Sequence, residues 1–219
     1  KMARTITVKG LGKASAKPDQ VVLSMTLTSE HKDYDKAMSM AADGIQHLND
    51  VLCGIGFEKS SVKTTSFNVN TDYDRVKDRN GNYESVFRGY EVVHRLKLSF
   101  DLDVGRLSQT LSAVAGCLSQ PQLSIAFTVK DATAINEDML RSAAANAKRK
   151  AEILCDASGV TLGELIAIDY NWGELDIYSH TKYDYCEDAL MTLPVGAPIE
   201  MEPDDIDVSD TATFVWEIR

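Results

Sequence analysis

The run Gly89-Tyr90-Glu91-Val92-Val93-His94-Arg95-Leu96-Lys97-Leu98-Ser99-Phe100 decides the fold class. Tyr90, Val92, His94, Leu96, Leu98 and Phe100 fall on one face, Glu91, Arg95 and Lys97 on the other. A period of two is what a strand with one buried face produces, because successive side chains point to opposite sides. Upstream, Thr65, Phe67 and Val69 share a face, and Arg79-Asn80-Gly81-Asn82 separates the two runs. Asn-Gly readily takes the positive φ of a tight hairpin turn. The spacing predicts a long β-hairpin arm between Thr64 and Phe100 with a polar tip.

Working outward, Val21, Leu23, Met25 and Leu27 alternate in a strand that follows Pro18-Asp19, and Ile6 and Val8 alternate before Gly10-Leu11-Gly12. These two strands, joined through a glycine-containing turn, predict an N-terminal hairpin or bulged ribbon. Tyr34, Ala37, Ala41, Ile45, Leu48, Leu52 and Ile55 recur at spacings of three and four, the stripe of an amphipathic helix stopped by Gly54 and Gly56. Asp103 is placed to cap a short helix bearing Val104, Leu107, Leu111 and Val114. Leu123, Ile125, Phe127 and Val129 form another alternating strand. A long helix is expected from Asn136 to Ala157, with Leu140, Ala143, Ala147, Ala151 and Leu154 inward. Leu162, Ile166 and Ile168 then share a strand face with Leu165 opposite, and Ala212, Phe214, Trp216 and Ile218 close the chain.

Interspersed helices and hairpins make the fold class α+β, read as two intertwined α/β two-layer subdomains with mainly antiparallel sheets and the hairpin arm. The division expected is residues 1–85 and 86–219, closely packed. The first and third helices echo each other, Ala41, Ile45 and Leu52-Cys53 lining up with Ala143, Ala147 and Leu154-Cys155. Between 171 and 205 periodicity fails; a connection of that length is functional or mobile.

The charge is uneven. Ten of the 33 acids lie between Tyr183 and Ile218, a stretch with no Lys or Arg, and the other 23 balance the 23 basic residues. That segment repels nucleic acid and anionic membrane. It is also a surface that a basic protein partner could meet. No apolar run approaches the ~20 residues of a membrane helix, so membrane insertion is not expected. The first residues run directly into a strand pattern, which gives a cytoplasmic location as the expectation and an exported protein with its signal removed as the alternative. Cys53, Cys117, Cys155 and Cys186 show no metal or redox spacing; Cys53 and Cys155 read as small buried thiols.

No catalytic set emerges. Gly10-Leu11-Gly12-Lys13 is followed by Pro18 and a strand where a phosphate loop needs a helix, so it reads as a turn or bulge. His31 and His47 read as solvated. His94 interrupts an apolar strand face and reads as a hydrogen-bonded histidine at the core's edge; the alternative is a small-molecule or metal-binding protein, a hydrolase among the options, with a pocket beside His94. His180, Asp184 and Cys186 match no metal-ligand spacing, and Asp205-x-Asp207-x-x-Asp210 lacks the glycine and distal Glu of a calcium loop. Neither a Gly-x-Ser-x-Gly elbow nor a His-Glu-x-x-His helix occurs. Catalytic residues, metal ligands and cofactors are therefore all expected to be none. Tyr73, Tyr83, Phe87, Trp172, Tyr178, Tyr183 and Tyr185 fall in the arm and the irregular stretch, and they serve either a subunit interface or their own subunit's core.

Ile6-Thr7-Val8-Lys9-Gly10-Leu11-Gly12, then Lys17-Pro18-Asp19, Gly56-Phe57 running into Val62-Lys63-Thr64-Thr65-Ser66-Phe67, and Gly89-Tyr90-Glu91 recur in a recognisable order. So do Lys148-Arg149-Lys150-Ala151-Glu152-Ile153-Leu154 and Pro203-Asp204-Asp205-Ile206-Asp207-Val208-Ser209. Together they resemble the SIMPL-domain family, which includes bacterial periplasmic immunogenic proteins of unresolved function. The resemblance covers essentially the whole chain. It implies an α+β fold in two intertwined subdomains, assembly into homo-oligomers that bind or scaffold, and no established enzymatic activity. The aromatic and acidic content of residues 171–190 departs from the family pattern, and most bacterial relatives are exported.

Overall fold

The computed structural model describes residues 4–77, 81–117, 122–171, 175–185 and 202–219. The elements run β1 (Thr5–Ala16), β2 (Gln20–His31), α1 (Tyr34–Gly54), β3 (Val62–Lys77), β4 (Tyr83–Asp101) and α2 (Val104–Ala115). They continue with β5 (Gln122–Thr128), α3 (Thr133–Ala157), β6 (Leu162–Asp169), β7 (Tyr178–Tyr185) and β8 (Ile206–Ile218). The class is α+β. The chain forms two compact units, one from residues 1–19, 128–180 and 203–219, the other from 20–127 and 181–202. Each is built from non-contiguous segments, and the boundary expected at 85/86 falls inside β4.

In the larger unit the sheet order is β3-β4-β2-β5-β7, with β4 antiparallel to both β3 and β2. The alternating face of β4 supplies Leu96, Leu98 and Phe100 to a core with Val21, Leu23 and Met25 of β2, and Leu48 and Leu52 of α1. Removing one such leucine side chain would cost about 2–5 kcal/mol through lost burial and the cavity left. Local chemistry fixes the helix ends. Asp33 accepts from the Asp35 amide at 3.0 Å, and Asp103 accepts from the Arg106 amide at 2.6 Å. The Arg106 guanidinium lies 4.1 Å from the Phe57 ring centre and donates to the Gly56 carbonyl, tying α2 to the turn that ends α1. Cys53 is exposed at that end of α1, contrary to the buried thiol expected.

In the smaller unit the sheet order is β1-β8-β6, antiparallel in both pairings. This overturns the expected N-terminal hairpin: β1 pairs with β8, and β2 belongs to the other sheet. It also overturns the reading of Gly10 and Gly12 as a turn. Both lie inside β1, where α3 crosses so closely that a Cβ on Gly10 would overlap the Ala143 carbonyl oxygen, and one on Gly12 that of Met139. The inner stripe of α3 is Met139, Ala143, Ala147, Ala151 and Cys155, a strict four-residue repeat. Leu140 and Leu154, expected inward, sit one position off that repeat and are exposed. Polar side chains of α3 also cover the outer edge of β1. Leu11 N donates to Asn146 Oδ1 at 3.0 Å, Lys13 N to Ser142 Oγ at 3.1 Å, and Lys150 Nζ to the Lys9 carbonyl at 3.1 Å.

The stretch expected to lack structure contains strand β7. Among the described residues no helix is long and apolar enough to cross a membrane.

Candidate functional site

The hairpin arm is present, and its outer part stands alone as a ribbon. Pairing of β2 with β4 ends at His31↔Tyr90, so among the described residues β4 from Gly89 back to Tyr83 is paired only with β3. Two strands without a third, or a helix, to cover them are marginal in water. What steadies the root of the arm is a chain of edge-to-face aromatic contacts. Tyr73 meets Phe87 at 5.6 Å, Phe87 meets Tyr90 at 5.3 Å, and Tyr90 meets Tyr34 at the start of α1 at 5.4 Å. Each such pair contributes about 0.5–1.5 kcal/mol beyond its burial. Arg88 and Asp72 add an exposed ion pair at 3.4 Å.

Register assigns the faces. Tyr73 pairs with Phe87, Arg75 with Ser85 and Lys77 with Tyr83, so these six share one side. That side is aromatic and cationic, with Lys77 Nζ 5.9 Å from the Tyr83 ring centre. Asp74, Val76, Glu84 and Val86 share the other, which is aliphatic and acidic. Tyr83 is 70% exposed and Tyr73 54%, with Phe87, Val76 and Val86 close to half exposed. Large side chains on both faces of a bare ribbon have no core of their own to fill.

The predicted aromatics thus divide. Tyr73, Tyr83 and Phe87 come together on the arm. Tyr183 turns inward against Phe127, 6.2 Å between ring centres, and belongs to its own unit's core. Tyr178 begins β7 and is 40% exposed. Tyr185 is described only as strand backbone, and Trp172 lies outside the described residues. Sequence reasoning did not single out Val76 and Val86, which break no pattern; it located strand β6 but set Leu165 opposite Leu162 and Ile168, and it did not read that strand as a candidate surface. Register shifts there put both Leu165 and Ile168 on the side of Trp216 and Phe214, and Leu165, Ile166 and Ile168 are all about half exposed. The signal was Leu-Ile-Ala-Ile, an apolar run without alternation.

His94 is buried on β4. Its Nε2 lies 2.8 Å from Thr64 Oγ1, the Phe67 ring meets it edge-on at 5.1 Å, and its Nδ1 has no partner. Burial holds its pKa below the usual histidine value. A ring walled in by Thr64 and Phe67 is poorly presented to a ligand. His31 accepts from the Asp33 amide at 2.9 Å, and His47 is exposed. His180 borders an open hollow with Lys13, Ser15, Asp207 and Ser209. Of its suggested neighbours, Asp184 is described as backbone alone and Cys186 lies outside the described residues. Among the described residues no three His, Cys, Asp or Glu side chains cluster as metal ligands do. Asp210 caps the Thr211 amide at 2.6 Å, while Asp205 and Asp207 are exposed where β8 begins.

The family described as "SIMPL: Protein of unknown function (DUF541)" matches residues 6–216. The "26 kDa periplasmic immunogenic protein" of Brucella melitensis biotype 1 is 28% identical over 166 residues, 74% of this chain and 65% of that protein. The protein of the same name from Brucella abortus (strain S19) matches to the same extent. The match therefore spans a little under two thirds of the length of either relative.

Proposed function

This chain belongs to the SIMPL family, and on that premise we propose that it is a non-enzymatic protein that self-assembles into homo-oligomers and serves as a binding or scaffolding body. The observation that carries the reading is the ribbon of Tyr73, Val76, Tyr83, Val86 and Phe87, exposed on both faces beyond the last residue of β2. Aromatic side chains of this kind gain most when buried against another surface, because they cover much area for few rotatable bonds. A bare ribbon also presents an edge, which proteins otherwise blunt or cover. Native mass spectrometry of the purified chain at micromolar concentration tests this. A multimer is expected, reduced towards the monomer by Val76→Ser with Val86→Ser, exposed positions outside the ring contacts at the root of the arm, where monomer stability should change by no more than about 0.5 kcal/mol. A clean monomer from the unmodified chain would refute the reading.

The periplasm is the proposed location, in place of the cytoplasmic expectation. It is supported by the two Brucella relatives, each named a periplasmic immunogenic protein. Fractionation of cells making the full-length gene product should recover it in the periplasmic extract.

A further inference from the structure

We infer that the arm of one copy adds as a strand, on a second copy, to the edge of β6 that no described residue pairs with, a head-to-tail contact that supplies the mode of the proposed assembly and rests on that reading. Three observations carry it. The first is the unequal treatment of the two edges of the β1-β8-β6 sheet. The outer edge of β1 is covered by Asn146, Ser142 and Lys150 of α3, whereas no described residue pairs with the outer side of β6. An open edge with large apolar residues is a template for an added strand. Of the two edges of the larger sheet, β3 belongs to the arm itself, and β7 is a poorer template: its Ser179 is buried, His180 polar and exposed, and Tyr183 committed inward.

The second is charge. On β6, Leu165 and Ile168 face the α3 side, opposite Trp216 and Phe214, while Ala167 and Asp169 face away with Val215 and Thr213. Glu164, within the register shift before Leu165, is a second acid on this strand. No Lys or Arg occurs between Leu162 and Asp169. The arm has a matching split: Arg75 and Lys77 on one side with no acid, Val76 and Val86 together with Asp74 and Glu84 on the other. A single orientation therefore sets Arg75 and Lys77 on the side of Asp169, with Glu164 on the same strand, and Val76 beside Leu165 and Ile168. Pairing arm with arm instead brings Arg75 and Lys77 of both copies together. Pairing β6 with β6 brings the acids together.

The third is area. Five arm side chains and three on β6, each 43–70% exposed, offer roughly 700 Å² of apolar surface. At ~60% apolar content this implies an interface near 1,200 Å², the lower bound for a specific contact. Two copies of β6 alone reach only about 900 Å² by the same reckoning. Because the two surfaces differ, every copy keeps one arm and one edge to offer, and the assembly grows into a closed ring or an open filament.

Complementation tests this. Val76→Asp spoils the arm and Ile168→Asp spoils β6; both positions are exposed, and circular dichroism confirms folding. By sedimentation velocity at a concentration where the unmodified chain assembles, each variant alone should be monomeric. Their equimolar mixture should form a heterodimer and nothing larger, since it holds one intact arm and one intact edge. A charge swap is the second arm: Arg75→Glu with Lys77→Glu should weaken association at least ~10-fold, and adding Glu164→Lys with Asp169→Lys in the same chain should restore it. A monomeric mixture overturns the inference, as does a homodimer formed by either single variant, or a charge swap without rescue. If the unmodified chain is itself monomeric, the assembly reading falls and this inference with it.

Discussion

His94 carries a buried imidazole whose Nδ1 finds no partner and whose pKa burial pushes below the usual value. The sign follows from linkage: between the lowered folded value and the unfolded value near 6.5, the unfolded chain binds more protons. The stability this group protects is complete above the unfolded pKa and is lost as pH falls towards the folded one. Urea midpoints should therefore decline as pH is lowered from 7.5 through 6.5, and His94→Gln should flatten that part of the profile. An unchanged slope in the variant would assign the decline to other groups. The alternation of β4 made this histidine legible in the sequence, because a polar residue on an apolar strand face is conspicuous. Gly10 and Gly12 were not legible in the same way. A glycine needed for a turn and one needed beneath a crossing helix look alike until the helix is located, and α3 lies more than 120 residues further along the chain.

At the scale of elements, periodicity located every helix and all strands but β7. What it could not supply was partnership. Two alternating strands separated by Pro18 read as a hairpin, yet Pro18 marks the point where the chain leaves one sheet for the other. The edges were invisible for the same reason, since a strand's sequence does not say which side is paired. Polar residues of α3, on which the sequence reading placed no role, hold the edge of β1. Ser142→Ala with Asn146→Ala would leave the Leu11 and Lys13 amides without these acceptors. Both amides are near solvent, so the loss in stability should be small, about 0.5–1.5 kcal/mol per bond. The larger consequence should be in association, because the pair exposes a second free edge. Light scattering after mild heating should show more aggregation in the double variant than in the unmodified chain. Equal scattering would mean that the cover of β1 serves packing alone.

For the molecule as a whole, the net charge of −10 and its concentration between Tyr183 and Ile218 bear on assembly through repulsion. For two chains of this length in contact, centres roughly 40 Å apart, Coulomb's law in water gives an unscreened cost of about 10 kcal/mol. Screening cuts this to about 3 kcal/mol at 0.01 M salt, where the Debye length is 30 Å, and to less than about 0.1 kcal/mol at 0.15 M, where it is 8 Å. Against that stand the short-range pairs proposed between Arg75, Lys77, Glu164 and Asp169. Exposed pairs contribute about 0.2–1 kcal/mol each, and salt weakens them only in part. The long-range term is the larger one. Association measured by sedimentation should therefore strengthen as salt is raised from 0.01 to 0.15 M, by up to roughly two powers of ten. Weakening over the same range would mean that the acidic segment of one copy lies against a basic surface of the next, and that local attraction, not net charge, governs how the copies meet.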